Sequence, residues 1–167
     1  MPTRPIVAIA DLPLEPRPAA WQPPATAKRR FDVKRARAAP LLGLKMLGCT
    51  LHEVGPGATA YPFHSHRANE ELLVVLAGRG ELRYGSATHP VREGDLIGCP
   101  AGGPETAHQL TNTGDAPLRY LAISTQIDPD ICEYPDSGKV GAYAGDGKDA
   151  LMHLSHYGSA VDYWVDE

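Results

Sequence analysis

The sequence predicts an all-β domain, a sandwich or a closed barrel, and three observations carry that expectation. Short apolar runs recur along the middle of the chain at nearly regular intervals; Gly, Pro, Asn or Asp fences each run; and no helical period competes with them. The 17 glycines and 16 prolines in 167 residues suit such punctuation and are too many for a helical bundle.

Each run has its own stop. Residues 44–54 end at Gly55-Pro56-Gly57, and residues 71–77 end at Gly78-Arg79-Gly80. Residues 81–84, 89–92, 95–99, 108–111 and 118–125 follow, each between turn-forming residues. The run Leu72-Leu73-Val74-Val75-Leu76-Ala77 is apolar at every position instead of alternating. Such a strand is covered on both faces, one by the interior and the other by a second sheet or a second subunit. A homodimer is therefore expected.

The flanks read differently. Residues 1–27 hold seven of the prolines, and a residue without an amide donor suits neither a central strand nor a helix interior. An extended arm over the domain or a partner subunit is expected there, with Trp21 as its anchor. The basic residues Lys28, Arg29, Arg30, Lys34, Arg35 and Arg37 read as a solvated linker in preference to an anion site. Beyond the regular runs, Glu133-Tyr134-Pro135-Asp136-Ser137-Gly138 is rich in turns, and residues 148–157 suit a short helix. Val161-Asp162-Tyr163-Trp164 adds rings that are costly to expose, so the tail is expected to dock. The expected division is an arm over 1–40, a barrel over 41–127 and an extension over 128–167 that packs on the barrel.

Charge and cysteines narrow the partners. A formal net charge of −4 argues against nucleic acid, whose phosphates demand a basic surplus. Cys49, Cys99 and Cys132 are odd in number and form no Cys-x-x-Cys pair, so free thiols in a reducing cytoplasm are expected. The apolar residues 6–10 are too short for a signal-peptide core, and no run approaches a membrane span. A cytoplasmic protein with no membrane partner is the expectation.

The chemistry gathers in two stretches. His64 and His66 alternate along an extended strand and so share a face, about 7 Å apart at the backbone. The four residues after His66 suffice for a turn that brings Glu71 alongside. A carboxylate opening the most apolar run is expensive to bury unpaired, and a cation is the natural compensation. Glu70 is left facing solvent. Two imidazoles and a carboxylate suit Fe, Mn, Ni, Cu or Zn. Further on, His108 opens a short run that a closed barrel can set across from the histidine pair. Cys99 reads as a core thiol, and His89, His153 and His156 as packing or surface residues. His52 is placed near the barrel mouth, and Tyr61, Arg83, Tyr84 and Gln109 are candidate substrate contacts.

These stretches resemble the paired motifs of the cupin superfamily. Gly57, His64, His66, Glu71 and Gly78 follow the order of its first motif, with one residue more than usual before His64. Gly94, Pro100, Gly102, His108 and Asn112 follow the second, with a longer segment than usual between Gly102 and His108. The resemblance spans residues 41–125, and the whole chain looks most like bacterial single-domain cupins of unassigned activity. It implies a double-stranded β-helix, the jelly-roll barrel of that superfamily, carrying the arm and the docked tail read above. It also implies one divalent metal ion held by His64, His66, Glu71 and His108. Sugar-isomerase-like or dioxygenase-like chemistry on a small polar metabolite would follow. The alternative is a non-catalytic small-ligand sensor or binding module with a structural metal.

Overall fold

The computed structural model describes residues 4–27, 30–145 and 147–167, so Lys28 and Arg29 of the basic cluster lie outside the described residues. The first strands are β1 (Glu15–Pro16), β2 (Val33–Arg37), β3 (Leu47–Val54) and β4 (Ser65–His66). Then come β5 (Glu71–Ala77), β6 (Arg79–Tyr84), β7 (Ala87–Arg92), β8 (Leu96–Cys99) and β9 (His108–Asn112). The last are β10 (Leu118–Thr125), β11 (Asp130–Tyr134), β12 (Lys139–Ala144) and β13 (Leu151–His156). Most apolar runs of the middle of the chain became strands within a few residues of their expected ends, and β5 and β10 match to the residue.

Three sheets arise from them, with orders β1-β2-β3-β10-β5-β8, β13-β12-β11-β4 and β7-β6-β9. All the pairings between named strands are antiparallel. Alternation along the strands sorts side chains into two layers. Val54, Leu73, Val75, Ile97, Cys99, Leu118 and Tyr120 of the large sheet meet Leu82, Val91 and Leu110 of the three-stranded sheet in one core. The jelly-roll architecture follows from closing these two layers on each other.

The motif residues that are not ligand candidates hold the backbone. Gly78 turns at φ 86°, and a Cβ there would lie 2.7 Å from the Pro117 carbonyl oxygen, so the turn from β5 to β6 leaves no room for a side chain. Asn112 is fully buried, donates to the carbonyls of Val54 and Ala116 at 2.9 Å each, and accepts from the Gly114 amide at 2.8 Å. It is a tie between β3, β9 and the turn before β10.

Outside the core the expectations needed correction. The segment expected as a solvated linker is a strand: Lys34, Arg35 and Arg37 sit on β2, which pairs along β3 with Val33 and Ala36 buried. The alternation of small apolar and basic residues explains it, since a sheet margin tolerates charge on one face. Trp21 does not anchor the arm, being 51% exposed. Leu12 does, packed with Ala36, Ala38 and Leu51 on the outer face of the large sheet. The short helix expected over residues 148–157 is instead β13, hydrogen-bonded along β12. A ladder of backbone bonds outweighs the weak helical preference of so short a segment.

Within the extension, β11 pairs with β4. Tyr157 adds a hydrogen bond from its hydroxyl to the buried Glu133 at 2.5 Å. Farther on, the docking expected of the last aromatic residues is not found: the rings of Tyr163 and Trp164 meet edge to face and are exposed, shielding only each other. No described helix is long and apolar enough to cross a membrane.

Candidate metal centre

His64 sits just before β4 and bridges to His108 at the start of β9, with backbone bonds in both directions, His64 N to His108 O at 3.2 Å and the reverse at 2.8 Å. Their rings are 4.7 Å apart between centroids. The longer segment between Gly102 and His108 is taken up by one 3-10 turn, Pro104–Thr106, so His108 still reaches the pair. His66 is two residues on and on the same side as His64, their rings 5.1 Å apart. Glu71 opens β5 beside them and is half-buried, whereas Glu70 faces solvent.

The candidate ligand atoms of His64, His66 and Glu71 lie within 4.8 Å of one another. His108 joins through Glu71, its Nε2 donating to Oε2 at 2.9 Å. The four residues singled out from the sequence are thus brought together inside the barrel.

Each imidazole is held by its other nitrogen. His64 Nδ1 donates to the Pro62 carbonyl at 2.9 Å, and His108 Nδ1 to that of Thr106 at 3.2 Å. His66 Nδ1 donates to Asp130 Oδ2 at 2.6 Å. A neutral ring that donates from Nδ1 presents its lone pair at Nε2. His66 Nε2 is buried, has no hydrogen-bond partner and lies 3.9 Å from Glu71 Oε2. A buried acceptor with nothing to accept from is costly, and a cation between it and the carboxylate would satisfy both. The donor set of three imidazoles and one carboxylate fits a divalent first-row metal.

The charges follow from this packing. Burial alone would raise the Glu71 carboxyl, but the hydrogen bond from His108 and the surrounding imidazoles hold it down to about 2. Burial likewise opposes the His108 imidazolium, yet its hydrogen bonds with Cys99 and Glu71 raise it to about 10. Burial, with His108 and His66 alongside, drives His64 down to about 4. The metal-free cluster at neutral pH is therefore a Glu71–His108 ion pair beside a neutral His64.

One wall of the site is aromatic and basic. His52, buried on β3, stacks on Tyr120 and bonds through Nε2 to the Tyr61 hydroxyl at 2.9 Å. Burial holds His52 down to about 4. The arm reaches this wall, where Arg17 lies 5.1 Å from the Tyr61 ring centre and donates to the Ala60 carbonyl. Of the other candidate substrate contacts, Arg83 lies over Phe63 and pairs with Asp136, Gln109 donates to the Tyr61 carbonyl, and Tyr84 packs against the core.

Sequence reasoning missed Asp130 and the placement of Cys132, whose Sγ is 3.3 Å from His66 Nδ1. Burial, aided by Asp130, pushes that thiol up to about 12, so it is protonated at neutral pH. Neither residue stands in a motif, and only the β4–β11 pairing brings them to His66.

Comparison with known proteins supports the same family. Residues 50–124 match the family model described as the cupin domain. An uncharacterized protein of Methanocaldococcus jannaschii is 36% identical over 61 residues, which is 36% of this chain and 46% of that protein. The oxalate-binding protein of Thermotoga maritima is 26% identical over 68 residues, 41% of this chain and 54% of its own. These matches span about half the length of each relative. Among solved structures, a protein of Acidithiobacillus ferrooxidans provisionally designated a sugar phosphate isomerase superposes with a TM-score of 0.70 and 26% identity. That superposition covers 78% of this chain and 80% of the other. With both motifs in order and the jelly-roll barrel around them, residues 50–124 form a cupin domain.

Proposed function

We propose that the chain binds one divalent metal ion through His64, His66, Glu71 and His108, and that it is a metal-dependent enzyme acting on a small anionic metabolite. The observation that carries this reading is the buried, partnerless His66 Nε2 facing an ionised Glu71. A bound divalent ion would polarise a carbonyl or hydroxyl of the substrate and ease loss of a neighbouring proton. The remaining roles belong to the chain. Tyr61 presents a hydroxyl beside His64, oriented by the neutral His52 ring. Arg17 lies over Tyr61 and Arg35 pairs with His52 across β2 and β3, and their charges favour a carboxylate or phosphate group there. Isomerisation of a sugar phosphate fits that pairing of anion and polarised carbonyl, and the likeness to the Acidithiobacillus structure is in keeping with it.

A second reading, a binding module that holds an anion without turning it over, is favoured by the likeness to the oxalate-binding protein. The homodimer belongs to the same proposal: Leu72 and Leu96, 39% and 69% exposed on the outer face of the large sheet, would be covered by a second copy. The three free thiols suit a reducing cytoplasm.

The test begins with elemental analysis of purified wild type and His66→Ala, followed by turnover assays on sugar phosphates and oxalate. The reading expects one metal per chain in wild type, most of it lost in the variant. Metal retained at full stoichiometry by His66→Ala would remove the ligand assignment. Binding of an anion with no turnover would leave the binding module.

A further inference from the structure

The C-terminal extension reaches the metal centre through β11, whose Asp130 and Cys132 meet His66 and whose Tyr134 stacks on His64. Strand β11 pairs with β4 so that Cys132 lies opposite His66 and Glu133 opposite Ser65, and the Arg67 amide continues the pairing to the Ile131 carbonyl at 2.8 Å. Asp130 opens β11 and is buried at 8% exposure. Both of its carboxylate oxygens are engaged: Oδ2 accepts from His66 Nδ1 at 2.6 Å, and Oδ1 accepts from the Ala68 amide at 3.0 Å. The carboxylate is thus clamped between the ring of His66 and the backbone two residues beyond it.

We propose that Asp130 is the positioning residue of His66, fixing its tautomer and ring direction so that Nε2 is aimed at the metal. The proposal rests on the reading of His64, His66, Glu71 and His108 as the ligand set. A ring free to flip would as readily present Nδ1, and half of its orientations would be unproductive for binding. The hydrogen bond to a carboxylate removes that freedom and makes Nε2 the stronger donor. Asp130 lies outside residues 50–124, so a strand beyond the matched domain determines how well the motif histidines bind.

A competing arrangement uses the same atoms. His66, Asp130 and Cys132 also present ligand atoms within 4.8 Å of one another. A cation there would require His66 Nδ1 as its donor. That nitrogen is already the proton donor to Asp130 at 2.6 Å, and Nε2 is the one left without a partner. The bonding favours a positioning role over a second set of ligands.

Titration of metal-free protein with Co(II), followed by visible and near-ultraviolet absorbance, separates the two. Wild type, Asp130→Asn and Cys132→Ser are compared, with the melting temperature of each metal-free form as a folding control. The expected result is a loss of about 10- to 100-fold in Co(II) affinity for Asp130→Asn and wild-type affinity for Cys132→Ser, without a thiolate-to-cobalt band in any form. Equal affinity in Asp130→Asn overturns the proposal while leaving the ligand set intact. A thiolate band in wild type that disappears in Cys132→Ser also overturns it and moves the cation to the extension. No Co(II) uptake by wild type overturns the ligand set itself. Should Asp130→Asn fail to fold, nitrogen NMR of metal-free wild type decides: the proton of neutral His66 is expected on Nδ1, and a proton on Nε2 refutes the assignment.

Discussion

The barrel and the hairpin that extends from it are both antiparallel β-structure, yet they differ in what holds them. Leu51, Val54 and Leu118 of the large sheet are wholly buried, and their strands pack against a second layer. On β13, Leu151, Met152 and Leu154 are 56%, 53% and 45% exposed, so backbone ladders do more of the work there than burial. The lesson is that the two regions contribute different things to one site. The barrel supplies four candidate ligands, His64 just before β4 and the others on β4, β5 and β9, and the extension supplies one carboxylate that aims a ring.

The largest expected effect sharpens the barrel side of that comparison. Saturation with a cognate metal at 1,000 times its Kd adds about 4 kcal/mol to the unfolding free energy of wild type, measured by denaturant titration. The gain falls to nearly nothing in His66→Ala. A gain of equal size in both proteins would break the link between this histidine and the metal.

Core and hairpin substitutions come next. Leu51→Ala removes a fully buried side chain and costs about 3 kcal/mol, and Asn112→Ala leaves three backbone groups without their partner, the buried Val54 carbonyl among them, at about 2 kcal/mol. Leu154→Ala, on the exposed hairpin, costs about 0.5 kcal/mol or less in the monomer. A large loss at Leu154 would mean that the hairpin is buried against another copy of the chain, which size-exclusion chromatography with light scattering would reveal.

The pH dependence of the metal-free protein is smaller over a single unit. His52 and His64 are held down to about 4 from an ordinary 6.5, so the unfolded chain binds more protons as pH falls below 6.5 and stability drops. His108 is raised to about 10, so its contribution is complete below 6.5 and is lost as pH climbs toward 10. Glu71, held at about 2, contributes above its ordinary 4.5 and loses that contribution only in stronger acid. The melting temperature should therefore peak near pH 6.5, falling by about 1–2 kcal/mol of stability one unit below. Bound metal displaces the His108 proton and should flatten the alkaline limb. A scanning-calorimetry maximum well away from 6.5 would contradict the assigned charges.

The remaining effect concerns the arm. Arg17→Gln should weaken binding of inorganic phosphate or oxalate to the metal-loaded protein about tenfold, near 1.4 kcal/mol, with metal content unchanged. Unaltered affinity by calorimetry would remove Arg17 from the ligand wall.

Legibility in the sequence followed burial. Strand β5 is unbroken in its apolar run and β10 lies between Pro117 and Asp128-Pro129, so both could be read directly. The ligand candidates were legible because alternation puts His64 and His66 on one face and because Glu71 is anomalous at the head of an apolar strand. Strands β12 and β13 were not, since half-exposed strands need no strict apolar alternation. Asp130 was invisible for a different reason. Its partner is 64 positions away, and only the pairing of the two-residue β4 with β11 brings them together.

Anomalous diffraction from a crystal of the metal-loaded protein, collected at that metal's absorption edge, tests the central claim most directly. One peak is expected, about 2.0–2.2 Å from the Nε2 atoms of His64, His66 and His108 and from a Glu71 carboxylate oxygen. A peak on Cys132 Sγ and Asp130, or none in protein shown to contain metal, would contradict it.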